Sequence, residues 1–592
     1  MATVADTESF FKSKVMGHPS GLFVLFFTEM WERFSYYGMR ALLVLFLTSA
    51  ILDEGWGWPR EHALALYGTY TSLVYLTPIL GGYLADKFLG YRNAVVIGAL
   101  IMTLGHASMA LEGEWGFMLY LGLFLLIAGN GFFKPNMTSI ISHMYAKHPE
   151  KKDGAYTIFY MGVNAGAFLG ILLCGYIGEE IGWHYGFGLA GIFMFFGMLQ
   201  FYFAQKIFGK VGKRPLKEIN DSMKSSSEEL KEPVNDEDRR NPFTKLDIIL
   251  TVLSAVIGLV WIINDPVSKI AGTRLFDFTV AGLEGATFMI LLALGLFLVL
   301  LISRISRYAR ITRDKMIAVT IFAFFTIFFW AAFEQAGGSM TIFAADYTDR
   351  TLEGVWANVF RVANTLITVV PLGIITYVLF KLFQQTFAKY ALANIFLGTS
   401  FTIIWGLVLY MLYRQFSAEA PEVPASWFSV LNSLFIIIFA PIFAKLWESK
   451  YNPNAAVKYG MGLILLGVGF LFLAFGSSGI PQGAAVAAVS IVWLIFAYFF
   501  HTMGELCLSP VGLSYLSKLV PGRMIAMMFG VWYLAIAIGN KLAGTTGGMI
   551  DKITEEYSLS TFFLMFFIIP GVAGVLVILL NPLMKKLMHG VR

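Results

Sequence analysis

The sequence predicts an all-α polytopic membrane protein of about sixteen spans, and three observations predict it. The 592 residues are 57% hydrophobic and 14% charged, with a mean hydropathy of +0.69, whereas soluble domains carry about a quarter of their residues as charges. The apolar residues gather in sixteen segments of roughly 18 to 33 residues, close to or above the ~20 needed to cross a hydrocarbon layer about 30 Å thick. The loops between these segments alternate between basic and acidic, the pattern that sets orientation in a membrane.

Six segments come first, at about 21–48, 63–85, 92–111, 116–144, 155–178 and 184–208. Lys87 and Arg92 follow the second and Lys147, Lys151 and Lys152 the fourth, while Glu112 with Glu114 and Glu179 with Glu180 fall on the other side. By the positive-inside rule the N-terminus is cytoplasmic. The first twenty residues hold Lys12, Lys14 and His18 without an apolar run or a cleavage-type site, so the first helix is expected to direct insertion. Residues 209–246, with Lys210, Lys213, Arg214, Lys217, SSSEEL and NDEDRR, contain almost nothing apolar and read as a mobile cytoplasmic linker.

Ten segments remain, at about 247–264, 279–303, 315–341, 362–383, 388–413, 426–447, 456–476, 485–517, 525–550 and 560–587. Arg304 to Lys315 and Lys381 to Lys389 are basic connections; Asp346, Asp349, Glu419 and Glu422 lie opposite. This divides the chain into a six-helix bundle (1–208), a linker (209–246), and a second bundle made of 314–342 and 425–589. Two inserted hairpins, 247–303 and 362–413, each even in number, leave the topology intact and both termini cytoplasmic in the inner membrane.

Composition also excludes. The net charge of +5 sits in short loops beside apolar segments, as topology signals do, so nucleic acid is not a partner. Cys174 and Cys507 lie far apart in apolar segments, with neither CxxC nor metal-ligand spacing, so no disulfide or metal site is indicated. No nucleophile stands with a base, which argues against an enzyme.

The residues that carry chemistry begin in the first segment, in TEMWERFSYYG (Thr28 to Gly38). Glu29, Glu32 and Arg33 fall about 12–18 Å along that helix, near mid-membrane. Each central charge costs roughly 2.5–3.5 kcal/mol, on the order of 8–10 kcal/mol for three unpaired ones, so they face protein or water. Glu29, Glu32, Arg33, Tyr36 and Arg40 are spaced by three, four, seven and eleven residues and share one helix face, with Tyr37 at its edge. Further polar groups at membrane depth are Lys134 in GNGFFKPN, Asn164 in FYMGVNAG, Glu334 in FFWAAFEQAGG, Asn432 in WFSVLNSLFIIIFAPIF and Glu505 in MGELCLSPVGLSYL.

The first stretch resembles, position for position, the signature ExxERFxYYG of the proton-coupled oligopeptide transporters, a branch of the major facilitator superfamily. GGYLADKFLGYR (Gly81 to Arg92) is similar to the superfamily's loop between helices 2 and 3, which makes Asp86, Lys87 and Arg92 gating candidates. The stretch around Asn164 resembles the family's second signature, with Val163 for Ile. Those around Glu334, Asn432 and Glu505 resemble its helices 7, 8 and 10, with Ser433 where Pro is common. The first inserted hairpin is usual in bacterial members; the second departs from the common fourteen-helix pattern. Animal members carry a histidine after a helix 2 tyrosine, where this chain has Gly68 after Tyr67.

The resemblance implies two six-helix bundles that rock about a midplane site and carry di- and tripeptides together with protons, with no cofactor. It implies that Arg33 and Lys134 take the peptide carboxylate and Asn432 and Glu505 its ammonium. Tyr36, Tyr37, Tyr75, Asn164, Trp330, Ser509 and Trp532 would complete the binding pocket. Proton coupling falls to Glu29, Glu32, Glu334 or Glu505. Without substrate, Lys134 is expected to pair with Glu505. The rival reading is a carrier of nitrate, another small anion or a peptide-like metabolite; nitrate-type relatives typically lose ExxER, which is intact here.

Overall fold

The computed structural model describes residues 12–146, 148–213, 242–520 and 525–591. Most of the expected linker, 214–241, therefore lies outside the described residues.

A chain in lipid must satisfy every backbone polar group internally, and long apolar runs do so as helices. The first bundle is α1 (Ser20–Thr48), α2 (Arg60–Leu84), α3 (Tyr91–Ala110), α4 (Phe117–Met144), α5 (Lys152–Glu180) and α6 (Trp183–Ala204). An inserted pair follows, α7 (Lys245–Ile270) and α8 (Gly285–Ser306), and then α9 (Arg310–Phe333) with a short continuation, α10 (Ser339–Asp346). The second inserted pair is α11 (Gly354–Thr386) and α12 (Ala391–Ser417). The second bundle is completed by α13 (Val430–Glu448), α14 (Ala455–Gly476), α15 (Val492–Leu519), α16 (Ile525–Gly547), α17 (Ile550–Glu556), α18 (Leu559–Leu579) and α19 (Asn581–Leu587). Among the described residues fourteen helical segments are long and apolar enough to cross a membrane. α1 is outside that set because Glu29, Glu32, Arg33 and Arg40 interrupt it.

Helices of a bundle approach closely where glycines face each other, since packing rather than water exclusion drives association in lipid. A Cβ on Gly98 of α3 would lie 2.6 Å from the Gly129 carbonyl of α4, and one on Gly68 of α2 would lie 2.7 Å from Gly544 Cα of α16. The second contact joins the two bundles.

Several boundaries differ from the sequence reading, among them the start of α11 at 354 rather than 362 and of α15 at 492 rather than 485, and two of the differences have a clear physical reason. The segment expected to run unbroken over 314–342 breaks at a 3₁₀ turn, Glu334–Gly337, before α10 resumes. A Cβ on Gly337 would clash with the Tyr67 hydroxyl, so the break brings this turn directly onto α2. α7 runs to Ile270 rather than stopping at 264. It passes through Asn264, Asp265 and Pro266 because their polar atoms are satisfied in place: Asn264 accepts from the Leu275 amide at 2.8 Å and Asp265 is ion-paired.

The inserted pairs lie on different flanks. α7 docks on α2, where Thr69 donates to the Ile262 carbonyl at 3.3 Å. Its start is fixed by a capping box, Thr244 with Asp247, and the buried Asp247 carboxylate receives Arg307 at 2.8 and 3.0 Å and Arg304 at 3.4 Å, which ties α7 to the end of α8. α12 packs on α6 and α1: Phe396 stacks on Phe203, and Phe401 meets Trp31 and Phe27 edge-on. The chain enters and leaves this second pair through a neck in which residues 350–352 and 421–423 hydrogen-bond to each other, reinforced by Arg350–Glu422 at 2.7 Å.

Candidate functional site

α1 presents its charged stripe to the space between the bundles, and the charges satisfy one another. Arg33 Nε lies 3.0 Å from Glu29 Oε1 and 2.6 Å from Glu32 Oε2, and Asn130 of α4 donates to Glu32 Oε1 at 3.2 Å. All three charged groups are buried, at 4, 0 and 4% exposure for Glu29, Glu32 and Arg33. The cluster keeps unused capacity, because Arg33 Nη2 and Glu29 Oε2 are buried without a hydrogen-bond partner. A buried guanidinium with a free N–H edge is ready to receive an anion in charge-assisted hydrogen bonds.

The aromatic groups extend the same wall. The Arg33 guanidinium lies 5.5 Å from the Tyr36 ring centre, and Tyr36 meets Tyr37 edge-on and stacks on Tyr70. Lys134 sits over the Tyr75 ring at 4.3 Å, and Tyr75 in turn faces Trp330 of α9 and Tyr533 of α16. Lys134 therefore has an aromatic neighbour, with the Glu32 and Glu29 carboxylates nearby, in place of the Glu505 pairing expected from the sequence.

Across the cleft, Asn432 of α13 donates to Glu505 Oε2 of α15 at 2.9 Å and to Thr502 Oγ1 at 3.1 Å. Glu505 is held by this amide rather than by Lys134, so the charged groups of the first bundle and the carboxylate of the second are not paired with each other. Ser509 Oγ, one turn beyond Glu505, is buried and unpartnered. Trp532 packs edge-on against Tyr459 and closely against Gly512. Asn164 donates to the Tyr160 carbonyl of its own helix at 3.0 Å.

A second charged layer, toward the end of the molecule opposite the linker, joins the bundles directly. Arg40 Nη2 lies 2.6 Å from Glu334 Oε2, Arg40 Nε donates to the Tyr67 hydroxyl at 2.8 Å, and Tyr67 donates to the same carboxylate at 3.1 Å. Nearer the surface Arg60 of α2 bridges Asp346 at 2.6 Å and Asp551 at 2.7 Å. On the other flank Glu179 of α5 accepts from the amides of Ala425 and Ser426 at 2.7 and 2.9 Å, and Trp427 donates to the Leu172 carbonyl at 2.9 Å. These pairs close the far end. Toward the linker, α2 instead leaves Leu80 and Tyr83 exposed, at 66 and 53%.

Of the expected gating residues, Asp86 and Lys87 make their contacts inside the first bundle, whereas Arg92 reaches the start of the linker and lies near Tyr390 in the turn of the second inserted pair. Lys87 donates to Tyr83 at 2.5 Å, and Arg92 donates to the carbonyls of Gly209 and Val211 at 2.5 and 2.6 Å, which ties α3 to the chain leaving α6. Asp86 lies against Tyr91. Sequence reasoning placed Arg40 on the charged stripe but did not assign it a site role, and it missed Arg60, Tyr67 and Asp551. Arg40 had a signal in its spacing; Arg60 and Asp551 find partners hundreds of residues away, and Tyr67 is placed by Arg40 and by Glu334, 267 residues on.

A sequence model of the POT family matches residues 92–231 and 407–563, together about half of the chain. The chain belongs to the POT family. Members are transporters. The chain is 30% identical to the uncharacterized transporter YclF of Bacillus subtilis (strain 168), over 100% of both chains, and 29% identical to the peptide transporter YePEPT of Yersinia enterocolitica, over 97% of this chain and 96% of that one. Among solved structures it resembles that of a peptide transporter POT in complex with sulfate, with 27% identity, a TM-score of 0.70 and 100% of both chains covered. The fold is accordingly the major facilitator fold, two six-helix bundles, with two inserted hairpins in this POT protein. It is a multi-pass membrane protein.

Proposed function

We propose that this POT protein carries di- and tripeptides across the cytoplasmic membrane together with protons, by alternating access, with the linker end and both termini in the cytoplasm. The observation that carries this reading is the division of groups between the bundles: on the first, a buried Arg33 paired with Glu29 and Glu32 that keeps a free Nη2 donor, with Lys134 beside it, and on the second an amide-held carboxylate. A zwitterionic peptide laid between them offers its carboxylate to Arg33 and Lys134 and its ammonium to Glu505 and Asn432. Tyr36, Tyr37, Tyr75, Trp330 and Trp532 supply apolar faces that accept varied side chains. A small inorganic anion has no use for the second half of this arrangement, so the nitrate reading is not favoured.

In this scheme the far-end pairs, with Leu80 and Tyr83 of α2 exposed toward the linker, make a cytoplasm-facing conformation the resting state. Proton coupling is assigned to the carboxylates of the two layers, Glu29, Glu32 and Glu505 around the peptide and Glu334 in the far-end lock. Glu334 must release Arg40 and Tyr67 when that end opens, which exposes a carboxylate to the outer solution at the moment of peptide entry. Asp86, Lys87 and Arg92 are proposed to brace the linker end during rocking. No cofactor is needed, since the proton gradient supplies the work.

Calorimetric titration of the purified protein with a dipeptide, its C-terminal amide and its N-acetyl form tests the reading. The free dipeptide is expected to bind, and each blocked form to bind at least tenfold more weakly. Equal binding of all three would refute recognition by the two charged ends.

A further inference from the structure

One buried ion pair lies outside the peptide cleft and is not used by the scheme above. Lys541 of α16 is 1% exposed. Its Nζ lies 2.5 Å from Asp265 Oδ2 on α7 and 2.8 Å from Thr69 Oγ1 on α2. Asp265 takes a second cation, Lys269, at 3.2 Å, and Lys269 reaches Glu61 of α2 at 3.1 Å. Three helices thus meet at one lysine: α2 of the first bundle, α16 of the second and α7 of neither.

The place is mechanically informative. Next to it Gly68 and Gly544 bring α2 and α16 into backbone contact, and Asn540 donates to the Thr71 carbonyl at 3.2 Å. This is the seam that has to part if the far end is to open. Lys541 stands about 9 Å inside the end of α16, by the helical rise of 1.5 Å per residue, where a lone ammonium is costly. α7 is fastened to α2 by Thr69–Ile262 and by Lys269–Glu61, so Asp265 is a carboxylate carried by the first bundle that grips a cation of the second.

We propose that Asp265 is a latch residue: the α7–α8 hairpin, docked on α2, holds α16 through Lys541 and so biases the transporter toward the conformation with its far end shut. Parting the seam draws Lys541 away from both acceptors while still in apolar surroundings, a cost specific to opening at that end. The inference rests on the rocking of the two bundles proposed above. A hairpin that merely decorates the bundle would not bias its conformation.

The test reads conformation rather than uptake. In a background with Cys174→Ala and Cys507→Ala, Leu64→Cys places a thiol at a position 1% exposed, packed against Gly338 and Gly547 between the bundles. A membrane-impermeant maleimide is applied from the far face, without peptide. Lys541→Met combined with Asp265→Met removes the pair together, so that neither charge remains unpaired. The expected result is a several-fold faster labelling rate, with the parental rate for Lys541→Arg, which keeps the cation. Asp265→Asn, which keeps the shape and loses the charge, gives the same reading if the double variant is not recovered folded. Parental labelling in Asp265→Asn and in the Met pair, with or without a lowered melting temperature, would overturn the latch and leave a structural anchor. Dipeptide uptake by the Leu64→Cys parent in the same vesicles keeps failure of this inference apart from failure of the transport reading.

Discussion

Arg33 is the residue on which recognition turns. It is buried, already neutralised by Glu29 and Glu32, and still has an unpartnered Nη2. Arg33→Ala should weaken binding of a free dipeptide by about 10–100-fold, the equivalent of roughly 1.5–3 kcal/mol for a hydrogen bond to a charged group. The C-terminal amide of the same dipeptide should be affected far less; isothermal titration compares the two, and equal losses would assign Arg33 a structural role. Glu505 offers a second check at the same scale. Its carboxylate, held by Asn432, is both an ammonium acceptor and a proton site in this scheme, so Glu505→Gln should lower peptide affinity and abolish pH-gradient-driven accumulation together. Accumulation that survived in Glu505→Gln would move the coupled proton to Glu29, Glu32 or Glu334. The stripe from Glu29 to Arg40 was legible in the sequence because helical spacing alone puts those residues on one face. The pairing of Arg40 with Glu334 was not, because it joins residues 294 apart in sequence.

At the scale of elements, apolar runs and loop charges were enough to find the spans, since in lipid a long apolar run has few alternatives to a helix. Their ends were less legible. Asn264, Asp265 and Pro266 read as a helix end, and only the fold supplies the lysine that lets α7 continue through them. Gly337 and Gly338 read as part of a span, and only the position of Tyr67 explains why the helix breaks there. The α7–α8 hairpin depends on Asp247, which gathers Arg304 and Arg307 at its base. Breaking a buried ion pair by removing one partner costs about 3–5 kcal/mol. Asp247→Asn should therefore lower the melting temperature in detergent by several degrees while uptake per folded molecule is retained; an unchanged melting curve would mean that the base of the hairpin is held by other contacts. Gly68 makes a different point. Gly68→Val would push α2 off α16 where the bundles touch, so transport should be lost from a protein that still reaches the membrane in normal amount, measured by uptake against surface-resolved protein level.

For the whole molecule, the two bundles are joined at the far end by Arg40–Glu334, Arg60 with Asp346 and Asp551, and Glu179 with Ser426, while toward the linker α2 leaves Leu80 and Tyr83 exposed. Two inserted hairpins flank them, one gripping the seam and one carried on α1 and α6 while attached to the second bundle by its neck. The two-bundle plan and the charged stripe could be read from one chain; the conformation could not, because which end is closed is decided by contacts between bundles rather than by any local pattern. In the proposed cycle peptide movement is driven by protons moving the same way. Each elementary charge carried adds roughly 2.3 kcal/mol of driving force per 100 mV of membrane potential. The most direct test is uptake of a labelled dipeptide into liposomes containing the purified protein, with the outside acid, in the presence and absence of a protonophore. Accumulation well above the outside concentration, abolished by the protonophore, is the predicted result; uptake that stops at equal concentrations whatever the gradient would contradict it.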